Sequence, residues 1–281
     1  MGDLLSRWHA ALAEQSPVAV ATVIDGPGTG SKLLISPEDH VGGAGNDELD
    51  KAVIETARGM LEGGKTGTVH YGPRGQRRME DVAVFVQSFA PPPKMYVFGA
   101  IDFASAVARV GKFMGYRVIV CDARAVFATR ERFPSADEVV VAWPDEFLKT
   151  AEVDGRSVIC VLTHDPKFDV PVLKAALDTP AGYIGAMGSR RTHDNRTARL
   201  TEEGVGDEQL ARISSPIGLD VGARTPEETA IAIAAEIVAL RTGHSGGRLA
   251  ERSGPIHASD PDMPASPDER DARQAAGERA R

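Results

Sequence analysis

After the run Ala90-Pro91-Pro92-Pro93, short apolar segments alternate with helical ones, and this alternation constrains the fold more than any other feature of the chain. Apolar runs of strand length fall at residues 95–98, 117–121, 138–141, 157–162 and 183–186. Between them, helical spacing of apolar positions predicts helices over residues 103–114, 144–150, 170–177 and 192–203, with a last strong helix over 225–240. Strands separated by helices are joined by crossovers rather than hairpins, which gives a parallel sheet with right-handed connections. The expected class is α/β, a Rossmann-like doubly wound parallel sheet.

The three prolines remove three backbone donors and stiffen the chain, so residues 91–94 read as a linker. Residues 1–90 read as a small α+β domain preceding the sheet. Leu4, Leu5, Trp8 and Leu12 make one helix face, and a β-branched run at 18–24 has a partner at 32–36. Leu49, Val53, Ile54, Ala57, Met60 and Leu61 fall on one face of a second helix, which Gly63-Gly64 stop. Runs at 69–71 and 82–87 complete that sheet. Residues 95–244 form the Rossmann-like domain. From 245 to 281 the large apolar residues are only Leu249, Ile256 and Met263, and four prolines break any period. Such a segment buries too little surface to offset its ordering entropy, so a disordered or loosely packed tail is expected.

A net charge of −8 argues against nucleic acid as the partner. No stretch approaches the roughly 18 apolar residues of a membrane-spanning helix. Residues 1–15 mix Trp8, His9 and Glu14 and show no targeting pattern, so a cytoplasmic protein is expected. The two cysteines, Cys121 and Cys160, are too few for a disulfide framework, a four-cysteine zinc site or an iron–sulfur cluster. Both fall on core strands and read as buried hydrophobes rather than nucleophiles, and no metal site is expected.

In doubly wound sheets, ligands lie beyond the carboxyl ends of the strands. The first turn there is Gly99-Ala100-Ile101-Asp102-Phe103-Ala104, a degenerate G-x-G-x-x-G/A. Gly99 fits the tight turn and Ala100 follows it, but Ile101 replaces the glycine that lets a pyrophosphate approach, and Asp102 opposes a phosphate. Asp122 ends the second strand, where it could meet a ribose diol, with Arg124 placed for a phosphate; alternatively Asp122 caps a loop and pairs with Arg124. The third strand end reads Thr163-His164-Asp165-Pro166-Lys167. Thr163 is a candidate ligand contact, and His164 with Asp165 is a candidate acid–base pair, or else an Asx-type turn entering a helix.

The fourth reads Gly185-Ala186-Met187-Gly188-Ser189-Arg190-Arg191. Gly185, Gly188 and Ser189 offer backbone donors and Arg190 and Arg191 guanidinium groups, together an anion cradle. Before the last helix, the glycine-rich loop at residues 216–224 offers Asp220 and Arg224. The capping box Thr225-Pro226-Glu227-Glu228 then accounts for the helix start.

Taken together, these runs resemble the XdhC/CoxI family of xanthine dehydrogenase accessory proteins. The residues that carry the resemblance are Asp122-Ala123-Arg124, Phe127-Ala128-Thr129, Arg132-Phe133-Pro134, Leu162 to Asp165, Tyr183 to Arg191 and Pro216 to Glu228; Val20-Ala21-Thr22-Val23 carries it in the small domain. The resemblance implies a molybdenum-cofactor maturation chaperone, which binds a molybdopterin-type cofactor and delivers it to a xanthine-dehydrogenase-type molybdoenzyme. The anion cradle would suit the phosphate of the pterin. Three family elements differ here. The small-domain Gly-Gly-Cys is Val41-Gly42-Gly43-Ala44-Gly45-Asn46, its Cys-Gly-Gly is Met79-Glu80-Asp81, and the Gly-x-Gly-His turn is Gly99-Ala100-Ile101-Asp102. Thiolate chemistry near the molybdenum therefore does not transfer. Two other readings compete: an NAD(P)-binding oxidoreductase using Asp122 and His164, and a non-catalytic scaffold. Sheet edges and the behaviour of accessory proteins lead to the expectation of a homodimer.

Overall fold

The computed structural model describes residues 2–77, 79–163 and 165–251, and these divide into two compact units, one of residues 2–91 and one of residues 92–251. The first unit runs α1 (Gly2–Ala13), β1 (Val18–Asp25), β2 (Lys32–Ile35), β3 (His40–Gly42), α2 (Asp47–Glu62), β4 (Gly67–Tyr71) and β5 (Val82–Phe89). Its five strands form an antiparallel sheet in the order β3-β2-β1-β5-β4. Period-two alternation turns Ala19, Ala21, Val23, Val82, Val84 and Val86 to one face. There they meet Leu49, Val53, Ala57 and Leu61, which the 3.6-residue period places on one side of α2. Asn46 caps α2 by accepting from the Leu49 N–H at 3.0 Å. Strand β3 is absent from the sequence reading. It is three residues long with no buried side chain, so it carries no apolar signal.

The second unit runs β6 (Lys94–Phe98), α3 (Asp102–Phe113), β7 (Arg117–Asp122), β8 (Glu138–Val141), α4 (Pro144–Thr150), β9 (Val158–Val161), α5 (Pro166–Leu177), β10 (Tyr183–Ala186), α6 (Arg190–Glu202), α7 (Asp207–Leu210), β11 (Ile213–Ser214) and α8 (Pro226–Arg241). Six parallel strands follow the order β11-β10-β9-β6-β7-β8, so the sheet is the expected doubly wound one. Met95, Val97, Val118, Val120 and Cys160 pack with α3 and α8 on one face. Tyr96, Phe98, Ile119, Cys121, Ile159 and Val161 pack with α4, α5 and α6 on the other. The strand order reverses between β6 and β9, which makes that junction the switch point of the sheet.

Helices α5 and α6 begin earlier than their apolar periods suggest, because Asp165 and Ser189 cap them through hydrogen bonds to the Lys167 and Thr192 amides. Helix α7 and strand β11 are too short to leave a periodic signal. Of the segment read as a tail, residues 245–251 are described and exposed. These are placed, with a 3-10 turn at Leu249–Glu251 and Gly246 against Leu219, while 252–281 lie outside the described residues. Among the described residues no helix is long and apolar enough to cross a membrane.

Candidate functional site

Because every strand of the second unit is parallel, the turns after β6, β7, β9, β10 and β11 open on one edge of the sheet. The β6–α3 turn is closed by its own chain. The Gly99 N–H donates to the Cys121 carbonyl at 2.9 Å, the Ala100 N–H to Asp122 Oδ2 at 2.7 Å, and the Ile101 N–H to the Gly99 carbonyl at 3.0 Å. Gly99 has φ +104°, and a Cβ there would lie 2.7 Å from Thr163 Cγ2, so the glycine is required by the close approach of β6 and β9. Arg132 lies over the turn, donating to the Ala100 carbonyl at 3.1 Å and to Asp102 at 3.3 Å. Ile101 packs against the core beneath, so the turn is closed by hydrogen bonds rather than by the β-branched side chain the sequence singled out.

Asp122 is 3% exposed and fully engaged. Oδ1 accepts from the Arg124 N–H and Nε at 2.9 Å each, and Oδ2 accepts from Arg124 Nη2 at 2.8 Å and from Ala100. Burial pushes its pKa up, but the hydrogen bonds from Arg124 and Ala100 outweigh burial and hold it below the usual carboxylate range. No acceptor is left over for a ribose diol. Arg124 is held in turn by that carboxylate and by Phe127, whose ring centroid lies 4.5 Å from its guanidinium; Arg132 lies 5.5 Å from the same centroid. Ala100, Asp122 and Arg124, which the sequence reading offered to a cofactor, thus satisfy one another, and the Gly99 N–H is taken by the Cys121 carbonyl.

The β10–α6 turn is built differently. The Met187 N–H donates to the Val161 carbonyl at 2.8 Å, and Ser189 caps α6. Among the described residues, the N–H groups of Gly188, Ser189, Arg190 and Arg191 have no acceptor, and the side chains of Arg190 and Arg191 have no ion-pair or hydrogen-bond partner. The first turn of α6 holds no acidic residue, so the positive end of the helix dipole is uncompensated. Gly188 takes φ +150°. Gly185 lies buried in β10, and its bare backbone makes room for Ile217, since a Cβ there would sit 2.5 Å from Ile217 Cδ1.

Between these turns, Thr163 is buried and donates through Oγ1 to Asp169 Oδ1. Asp165 caps α5 from an exposed position, accepting from the Lys167 N–H at 3.0 Å. His164, its proposed acid–base partner, lies outside the described residues. Asp169 pairs with Arg196 at 2.9 Å, and both are buried. The sequence reading missed this pair. A signal exists, because Asp169 shares the inward stripe of α5 with Val172, Leu173 and Ala176, and Arg196 shares that of α6 with Leu200. Asp220 and Arg224 are exposed on the loop before α8, where the Arg224 N–H donates to Glu228 at 2.7 Å.

Neither thiol is available for chemistry. Cys121 donates to the Ala142 carbonyl at 3.5 Å, and burial pushes its pKa from 9.0 up to about 12. Burial does the same to Cys160, also to about 12. Among the described residues no group of three His, Cys, Asp or Glu is placed to hold a metal ion.

The edge of this sheet therefore leaves backbone donors unpaired at one turn, among the described residues, and pairs them at the other. Residues 95–237 match the XdhC Rossmann domain, and residues 11–72 match the XdhC and CoxI family. A Bacillus subtilis protein named as a probable xanthine dehydrogenase subunit is 32% identical over 158 residues, covering 56% of this chain and 46% of that protein. The molybdenum cofactor insertion chaperone PaoD of Escherichia coli is 28% identical over 157 residues, covering 56% of this chain and 43% of that protein. The chain thus spans about half the length of these curated relatives. A crystal structure of a xanthine dehydrogenase from Bacillus halodurans shares the fold, with a TM-score of 0.50 at 18% identity over 89% of this chain and 98% of that one. With the family Rossmann domain covering half of its length and the small-domain match before it, the chain belongs to the XdhC and CoxI family.

Proposed function

We propose that this chain is an accessory protein which holds a molybdopterin-type cofactor by its phosphate at the β10–α6 turn and presents it to a xanthine-dehydrogenase-type molybdoenzyme. The observation that carries the reading is the run of four amides, Gly188 to Arg191, without acceptors among the described residues and flanked by two unpaired guanidinium groups. A helix N-terminus with free amides takes a phosphate without rearrangement, and arginine can add paired charge-assisted hydrogen bonds. Family membership supports the same cargo, since one relative is named a molybdenum cofactor insertion chaperone.

The donor set fits the phosphate of the cargo. It does not fit a metal–sulfur bond, because Cys121 and Cys160 are buried and protonated. On this reading, Arg190 and Arg191 draw in and neutralise the phosphate, the Gly188–Arg191 amides fix its orientation, and Ser189 holds the helix end in register. Asp220 and Arg224, on an exposed loop after β11, are candidates to contact the rest of the ligand. The protein acts as carrier rather than catalyst, in the cytoplasm, where free thiols stay reduced.

The test is mass spectrometry of small molecules released from denatured protein expressed in its own host, with a pterin titration of the emptied protein. A pterin released from the wild type and lost from Arg190→Ala/Arg191→Ala is the expected result. Wild-type protein that neither releases nor takes up a pterin would sink the proposal. Millimolar NAD or NADP is expected to leave the melting temperature unchanged, since binding to the native state alone would raise it.

A further inference from the structure

The buried Asp169–Arg196 pair lies outside the contacts just assigned, yet it reaches three neighbouring strand ends. Arg196 Nη2 donates to Asp169 Oδ2 at 2.9 Å and to the Met187 carbonyl at 2.7 Å, while Nη1 donates to Ser215 Oγ at 3.2 Å. Thr163 Oγ1 donates to the other oxygen of Asp169. One guanidinium thus joins the chain after β9, through Thr163 and Asp169, to the chain after β10, at Met187, and to the chain after β11, at Ser215. Met187 immediately precedes Gly188, and a Cβ on Gly188 would come within 3.5 Å of Arg196 Nη2.

Stability alone is a weak explanation for such a pair. Arg196 is 4% exposed, and its Nε has no acceptor among the described residues. Burying two charges carries a desolvation penalty that well-packed apolar side chains of similar volume avoid. Asp169 also neutralises Arg196, so Arg196 adds little net charge for an anion to feel. What the pair supplies is geometry, because a planar guanidinium with several fixed donors sets the relative positions of its acceptors.

We infer that Asp169 and Arg196 are positioning residues, which hold the β10–α6 turn so that the Gly188–Arg191 amides face a phosphate together. The inference rests on the proposed anion site and deepens it, giving that site a buried frame.

The test uses full-length protein and inorganic phosphate as the probe, titrated at constant ionic strength, with hydrogen exchange read at the Met187 amide, which is bonded to the Val161 carbonyl where the turn begins. Removing one charge would strand the other, so the informative variant is Arg196→Met/Asp169→Leu. It is expected to melt within a few degrees of the wild type, bind phosphate at least tenfold more weakly and exchange the Met187 amide at least tenfold faster. Arg196→Lys keeps the charge but not the fork, and should fall between. If the double variant does not fold, Thr163→Val/Ser215→Ala cuts two ties and keeps the pair, with a threefold loss of affinity and faster exchange expected. A folded variant with wild-type affinity and wild-type exchange at the turn overturns the positioning role and leaves the anion site standing. Wild-type protein that does not bind phosphate overturns both.

Discussion

The β6–α3 and β10–α6 turns lie on the same edge of one sheet, each carrying the chain from a parallel strand into a helix through a glycine at positive φ. At the first, the N–H groups of Gly99, Ala100 and Ile101 all find acceptors within the protein, an acidic residue sits in the first helical turn, and Arg132 caps the Ala100 carbonyl. At the second, four successive N–H groups have no acceptor among the described residues, and the first helical turn carries two arginines and no acid. Equivalent positions in a doubly wound fold are thus not equivalent sites. A strand-to-helix turn becomes a receptor for an anion only when the surrounding chain leaves its donors unpaired.

That contrast can be broken by substitution. Gly99→Ala should have the largest effect on stability, a loss of roughly 3 kcal/mol, because the methyl would meet Thr163 side chain and backbone from a left-handed conformation. Gly188→Ala meets side chains alone, Thr192 closely and Arg196 Nη2 at 3.5 Å, and should lose about 1–2 kcal/mol. Thermal unfolding of the two variants compares them directly, and equal losses would mean that both turns are structural.

Asp122→Asn comes next, at about 2 kcal/mol near neutral pH, since the amide cannot accept what the carboxylate accepts from Arg124 and Ala100. The pKa of Asp122 is depressed in the folded state, so its stabilising contribution is present above the unfolded value near 3.8 and is lost as pH falls through the folded value. The gap between wild type and Asp122→Asn should therefore begin to narrow below about pH 4 and close only once the pH has fallen past the depressed folded value, in a series of melting curves. A gap that persists there would show that the carboxylate charge is not what closes the first turn. Arg190→Ala and Arg191→Ala should have the smallest effect on folding, within about 0.5 kcal/mol each, because both side chains are exposed and unpaired among the described residues. A larger loss in chemical denaturation would place them in the architecture of the second turn rather than in ligand binding.

Much of this arrangement is legible in the chain. The alternating apolar runs place nine of the strands, and Thr225 marks the start of the last helix through its capping box. The run Gly188-Ser189-Arg190-Arg191 stands out as a cradle from its residue types alone. Strands β3 and β11 and helix α7 do not, because segments of two to four residues hold too few apolar positions to show a period. Asp122 reads as a ribose acceptor or as the partner of Arg124, and the contacts it makes with Arg124 and Ala100 are visible only in the fold. Arg132 and the Asp169–Arg196 pair give weaker signals still, since their partners lie 27 to 32 residues away in sequence.

What the sequence determined by itself is the parallel sheet, the edge on which its turns gather and the residues offered at each turn, because periodicity and capping are local properties of the chain. What only the tertiary structure decided is which turn is closed and which is open. That outcome depends on whether each backbone donor finds an acceptor, and at these turns the acceptors and the groups that frame them are brought in from distant parts of the chain by the packing of the sheet.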